Sequence, residues 1–190
     1  RRVLFRSHVN VYPDFNDYVH QFELLANDLP KAGSFIYDET DSLVNKIGSV
    51  ERLGIKRFPY HTLPNRIKDG KTFLILPNKQ ELEIEVFGEH NLKNLNGARL
   101  VLAQIGIEDE EFYAAIPSFK GAAKRLEKLG ENANSLIFRD FAHAPSKLEA
   151  TTKATKSLYP DRRLIACYEL HTFSSLNAEF LQHYKNCMDA

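Results

Sequence analysis

The 190-residue chain is 43% apolar, enough to bury a core in one ordinary domain or two small ones. Its 25 basic and 25 acidic residues cancel, which excludes a long-range field drawing it to nucleic acid or to an anionic membrane. No apolar run approaches the ~20 residues of a bilayer span, and the opening Arg-Arg-Val-Leu-Phe-Arg-Ser is too short for a secretory leader. Two cysteines are present, and Cys167 sits inside Leu164-Ile165-Ala166-Cys167-Tyr168, where a thiol is expected as a small buried hydrophobe in a reducing, cytoplasmic protein.

In chain order, Val19, Phe22, Leu24 and Leu25 predict a helix from Asp17 to Leu29, with Asn16 as its cap and Pro30 as its stop. Gly33 opens a short strand at Ser34-Phe35-Ile36-Tyr37, and a second helix is predicted from Ser42 to Val50. The runs Thr72–Leu76 and Leu82–Val86, joined by Pro77-Asn78-Lys79-Gln80, predict an antiparallel hairpin. A helix follows from about Leu92 to Ile105, with Leu95, Ala98, Leu102 and Ile105 on one side, ending at Gly106. Another runs from Asp109 to Ile116. The remainder reads as a βαβ unit with strands at Ser135–Phe138 and Leu164–Tyr168 around a helix from Ser146 to Tyr159, closed by a helix from Leu176 onward. The polar stretch from Lys124 to Asn134 reads as a connection, which places a domain boundary near Gly121.

Three segments bear on chemistry. Gly70-Lys71-Thr72 resembles the end of a phosphate-binding loop, but Asn65 stands where the first glycine belongs, and a turn leading into a strand is the better reading. Asn91 and Asn94, three apart at a helix start, share an exposed side. An asparagine amide can donate to and accept from an adenine edge at once, although Asn91 could equally cap the helix. Asp140 and His143 follow one predicted parallel strand, and Glu169 and His171 follow the next. Ligands bind beyond the carboxyl ends of parallel strands, where an aspartate can hold ribose hydroxyls. Asp140 and Pro145 could also simply shape the strand-to-helix turn.

These residues carry a family resemblance over nearly the whole chain. Gly88-Glu89-His90-Asn91-Leu92-Lys93-Asn94 resembles the Gly-x-His-Asn-x-x-Asn motif of the Mur ligases. Lys124-Arg125-Leu126-Glu127 is similar to their Arg-Arg-Leu-Glu, and Asp140-Phe141-Ala142-His143-Ala144-Pro145 to their Asp-x-Ala-His-x-Pro. The resemblance implies an α/β fold: the C-terminal part of a central ATPase domain over 1–121, carrying the hairpin, then an incomplete Rossmann-like C-terminal domain over 122–190. It implies that Asn91 and Asn94 contact adenine, that Arg125 and Asp140 hold the ATP ribose, and that His143 belongs to the active site. His8-Val9-Asn10-Val11-Tyr12 is similar to a stretch whose histidine helps bind catalytic Mg²⁺, although Ser7 replaces the usual aspartate.

Ser118-Phe119 and Arg163-Leu164-Ile165-Ala166 before Glu169 resemble most closely the branch that joins UDP-N-acetylmuramate to the murein tripeptide in peptidoglycan recycling. In that chemistry ATP converts a carboxylate to an acyl phosphate, which the amine then attacks. The glycine-rich loop, the UDP-sugar domain and further metal ligands of the family have no counterpart in these 190 residues, and the expectation is that the chain alone does not catalyse ligation. The alternatives are the alanine-adding muramate ligases, the folylpolyglutamate-type ligases, and a nucleotide-binding module without catalysis.

Overall fold

The computed structural model describes residues 11–12, 14–170 and 172–189. Helix α1 (Phe15–Asn27) begins earlier than predicted because Asp14, not Asn16, is its cap, its carboxylate accepting from the Asn16 amide at 2.6 Å. Strand β1 (Ser34–Asp38) leads to α2 (Ser42–Gly48), where Asp41 caps by accepting from the Leu43 and Val44 amides. β1 pairs in parallel with β2 (Lys56–Tyr60), Ser34 opposite Lys56 and Asp38 opposite Tyr60.

Strands β3 (Asn65–Lys68), β4 (Lys71–Ile75) and β5 (Glu81–Ile84) form an antiparallel meander. The predicted hairpin is present, with Thr72 opposite Ile84 and Ile75 opposite Glu81. The turn reading of Gly70-Lys71-Thr72 holds as well. Asp69 (φ 52°) and Gly70 (φ 71°) are the two left-handed residues of a tight turn between β3 and β4, and Lys71 and Thr72 begin the strand. One face of the meander carries Leu74, which is 1% exposed, and Ile84 into the main core. Leu92 and Leu95 of α3 (Glu89–Ala103), Phe112 of α4 (Asp109–Ala115) and Ile116 of the following 3-10 turn (Ile116–Ser118) complete that core. Arg99 Nη1 donates to both oxygens of the Asp109 carboxylate, at 2.7 and 2.9 Å, and ties α3 to α4. Of the four residues placed on one side of α3, Leu95 is buried but Ala98 and Ile105 are exposed; the helix ends at Ala103, before Ile105, and Gly106 turns the chain at φ 87°.

Within this core Thr72 is 2% exposed and its hydroxyl has no partner among the described residues. Valine keeps the shape and removes the unsatisfied group. Thr72→Val should therefore raise unfolding stability by about 1 kcal/mol, read as a higher urea midpoint. A lower midpoint would mean that the hydroxyl is bonded in solution.

The rest of the chain departs further from expectation. The polar stretch read as a connection contains strand β6 (Glu127–Glu131), which pairs antiparallel with β7 (Leu136–Arg139). Helix α5 (Pro145–Leu158) follows, with proline in its first turn. Residues 164–168 form no strand, so the predicted parallel βαβ unit is not assembled among the described residues. Cys167 is consequently exposed, and Cys187 is the buried cysteine, its thiol donating to the His183 carbonyl at 3.1 Å. The helix expected from Leu176 onward is short, α6 (Ala178–Leu181) between two 3-10 turns. Phe87, Leu126, Ala154 and Leu158 form a second buried cluster with Phe138 and Tyr159 packed against it. That cluster fastens α5 to the end of the meander. No described helix is long and apolar enough to cross a membrane.

Candidate functional site

The start of α3 packs closely on the later turns of α5 because Gly88 lets them approach. It adopts φ 87° and ψ 141°, a conformation open to glycine, and an added Cβ would lie 2.7 Å from the Ala154 Cβ. Between the two helices, the segment before β6 and the end of β7 lies a cavity of about 720 Å³. Asn91, Asn94, Arg125 and Asp140 all line it, so four of the residues singled out in the sequence share one space.

Gly88 is the cap of α3, and the Asn91 side chain does not cap the helix. Its Nδ2 instead donates back to the Phe87 carbonyl at 2.9 Å, which orients the amide and uses one of its hydrogen-bonding positions. Asn94 is exposed one turn on. Asp140 accepts from the Leu126 amide at 2.8 Å through one oxygen and from the Thr151 hydroxyl at 3.4 Å through the other. Lys124 (φ 57°) and Leu126 (φ 49°) are both left-handed, so this carboxylate supports a strained turn as well as facing the cavity. Arg125, between them, lies 5.8 Å over the Phe141 ring and donates to the Phe141 carbonyl at 3.3 Å.

His143 is not among the residues lining the cavity. Its Nδ1 is 3.1 Å from the Phe141 carbonyl and its Nε2 is 3.2 Å from Lys147 Nζ, while its own carbonyl accepts from Tyr184 at 3.2 Å. Glu169 is exposed in the irregular segment, and His8 and His171 lie outside the described residues. Among the described residues no three His, Cys, Asp or Glu side chains stand together as a metal site.

Two cavity residues escaped the sequence reading, His90 and Lys147. Burial is the largest influence on each and lowers both pKa values. Arg125 lowers them further, and Asp140 acts in the opposite direction. The i, i+4 spacing of His143 and Lys147 across Pro145 was the available signal for the lysine. A larger cavity of about 1060 Å³ adjoins it along α3 and α5 and shares His90, Asn94, Ser146 and Ala150. Its lysines are already paired, Lys93 with Glu89 at 2.9 Å and Lys153 with Glu149 at 2.6 Å. The smaller cavity is the better candidate because its cations have no such partners among the described residues.

The lowered pKa of His90 has a sign in stability. The unfolded chain takes up the proton more readily than the folded one, so protonation favours unfolding. The His90 contribution should be constant above the ordinary histidine pKa of 6.5 and should fall as pH drops from there toward the lowered folded value. Urea midpoints between pH 7.5 and 5 should decline less in His90→Gln than in the wild type. Equal slopes would show that His90 is not buried in its neutral form.

No family model matches the chain. It is 32% identical over 178 residues to the UDP-N-acetylmuramate–L-alanine ligase of Salinibacter ruber, which covers 88% of this chain and 38% of that protein. It is 28% identical over 194 residues to the ligase of the same name from Desulfitobacterium hafniense, covering 94% and 42%. The fold is similar to that of the crystal structure of UDP-N-acetylmuramate–alanine ligase from Thermotoga maritima. There the TM-score is 0.59 and the identity 17%, over 81% of this chain and 36% of that one. The chain thus spans about two-fifths of the length of the curated relatives it matches. Those relatives are named for L-alanine, and not for the tripeptide that the sequence wording suggested.

Proposed function

The chain is a relative of the Mur ligases, and on that premise we propose that it is the adenosine-binding region of an ATP-dependent amide ligase acting on UDP-N-acetylmuramate in the cytoplasm. The observation that carries this reading is the single cavity lined by Asn91, Asn94, Arg125 and Asp140. Its donor set suits a nucleoside. Two carboxamides can pair with the donor and acceptor edge of adenine, and a carboxylate can accept from ribose hydroxyls. In this reading residues 1–121 belong to a central domain and 122–190 to a C-terminal one, so the site spans the junction near Gly121.

Bound ATP would supply the phosphoryl group that turns the muramate carboxylate into an acyl phosphate. The residues of this chain would orient the adenosine end. The Phe87 carbonyl fixes the Asn91 amide, and Leu126 and Thr151 fix the Asp140 carboxylate, so little side-chain order remains to be imposed on binding. Mg²⁺ is the metal the family implies, with His8 the residue that would help hold it.

For the amine we propose the murein tripeptide, on the wording of Ser118-Phe119 and of Arg163-Leu164-Ile165-Ala166 before Glu169. L-alanine, the acceptor in the relatives' names, is the second reading. Titration calorimetry with ATP and GTP tests the nucleotide reading on the 190-residue chain. ATP should bind and GTP should not, and Asn91→Ala or Asn94→Ala should weaken ATP by about tenfold or more, as for loss of a bidentate amide contact. Equal binding of ATP and GTP would sink it. Phosphate release with UDP-N-acetylmuramate and either amine, in a protein of the relatives' length that contains this chain, decides the acceptor.

A further inference from the structure

We propose that Arg125 and Lys147 form an anion subsite in the smaller cavity that takes a phosphate group of the bound nucleotide, with His143 holding Lys147 in position. This rests on the nucleotide reading above, gives Lys147 a role, and assigns Arg125 to a phosphate group where the family resemblance implies the ribose. The cavity wall carries two cations, Arg125 and Lys147, against one carboxylate, Asp140. That carboxylate accepts from the Leu126 amide and the Thr151 hydroxyl and forms no ion pair with either cation among the described residues. Neither cation forms an ion pair among the described residues. Arg125 rests on the Phe141 ring and carbonyl. Lys147 Nζ meets the His143 imidazole at 3.2 Å.

The imidazole contact has a defined polarity. A carbonyl oxygen only accepts, so the His143 Nδ1 at 3.1 Å from the Phe141 carbonyl must carry the hydrogen. Nε2 of the neutral ring is then an acceptor, and Lys147 donates to it. One ammonium hydrogen is used, and two remain for a ligand. His143 thereby acts as a positioning residue: it aims Lys147 without neutralising it. Half-buried and near Arg125, Lys147 bears a cost for its charge, as its lowered pKa reflects, and a phosphate between the two cations would offset that cost through charge-assisted hydrogen bonds. The larger cavity lacks this property, since its lysines already have carboxylate partners.

The test is titration calorimetry of the 190-residue chain with adenosine, ADP and inorganic pyrophosphate, in the wild type, Lys147→Met and Lys147→Arg. ADP should bind at least about tenfold more tightly than adenosine, as expected for one or two charge-assisted hydrogen bonds. Lys147→Met should remove most of that difference and the pyrophosphate binding, while changing adenosine affinity by less than about twofold. Lys147→Arg should retain most of both. If Lys147→Met weakens adenosine and ADP by the same factor, or changes neither, the subsite is wrong. Adenosine binding with ADP no tighter overturns the subsite and leaves the nucleotide reading standing. Lysine-dependent binding of ADP and pyrophosphate without any adenosine binding supports the subsite and overturns the adenine pocket. Failure of both phosphate ligands to bind the wild type overturns the subsite outright.

Discussion

Replacing Gly88 by alanine should destabilise the chain by about 3 kcal/mol, combining the cost of a positive-φ backbone with that of an over-packed contact. The two contributions can be separated. At φ 87° and ψ 141° the alanine is strained whatever surrounds it, and its Cβ would also lie 2.7 Å from the Ala154 Cβ and 3.2 Å from His90 Cε1. Ala154→Gly removes one partner of the clash but costs about 1 kcal/mol as a glycine in a helix interior. The double variant Gly88→Ala/Ala154→Gly should therefore be more stable than the sum of the single changes, by the part of the loss that is steric. Because the same contact sets the spacing of α3 and α5, Gly88→Ala should also weaken adenosine binding in the fraction that remains folded. A urea midpoint within experimental error of the wild type would show that the helices are not held together at this point.

The parts of the fold legible in the sequence are those in which one face is apolar and the other is not. The hairpin of β4 and β5 alternates cleanly, and Asp69-Gly70 announces a turn that only left-handed residues can make. Strand β3 was invisible because all four of its residues are exposed, so its pairing leaves no hydrophobic pattern. Strand β6 was read as a connection for a similar reason, since Glu127-Lys128-Leu129-Gly130-Glu131 is mostly charged and its one large apolar residue, Leu129, is itself exposed. The opposite error fell on residues 164–168. An apolar run announces a strand only if a sheet edge receives it, and the one partner of β7 among the described residues is β6. At the candidate cavity, the motifs and the family resemblance had singled out Asn91, Asn94, Arg125 and Asp140, which line it together. They overlooked Lys147, because a single lysine in a first helical turn looks like any solvated charge until its partner is seen to be an imidazole.

Asp140 is where fold and site make opposite demands, and its two replacements should behave differently. Asp140→Ala leaves the Leu126 amide unsatisfied at a left-handed residue and removes a charge-assisted bond, so it should cost about 2 kcal/mol of stability. Asp140→Asn keeps an oxygen able to accept from Leu126, and it should cost less than about 1 kcal/mol in the same denaturation measurement. With the fold preserved, binding can be read without interference. The asparagine is a weaker acceptor for ribose hydroxyls, so adenosine affinity should fall severalfold. It also removes the only carboxylate that lines that cavity with Arg125 and Lys147 among the described residues, so pyrophosphate affinity should rise. Two ligands moving in opposite directions in one variant cannot come from a loss of structure, which would weaken both. A parallel fall would mean that Asp140 serves only the turn between Lys124 and Leu126. Unchanged adenosine affinity would likewise remove it from the ribose contact, and a pyrophosphate affinity that did not rise would show that its charge is not felt at the two cations.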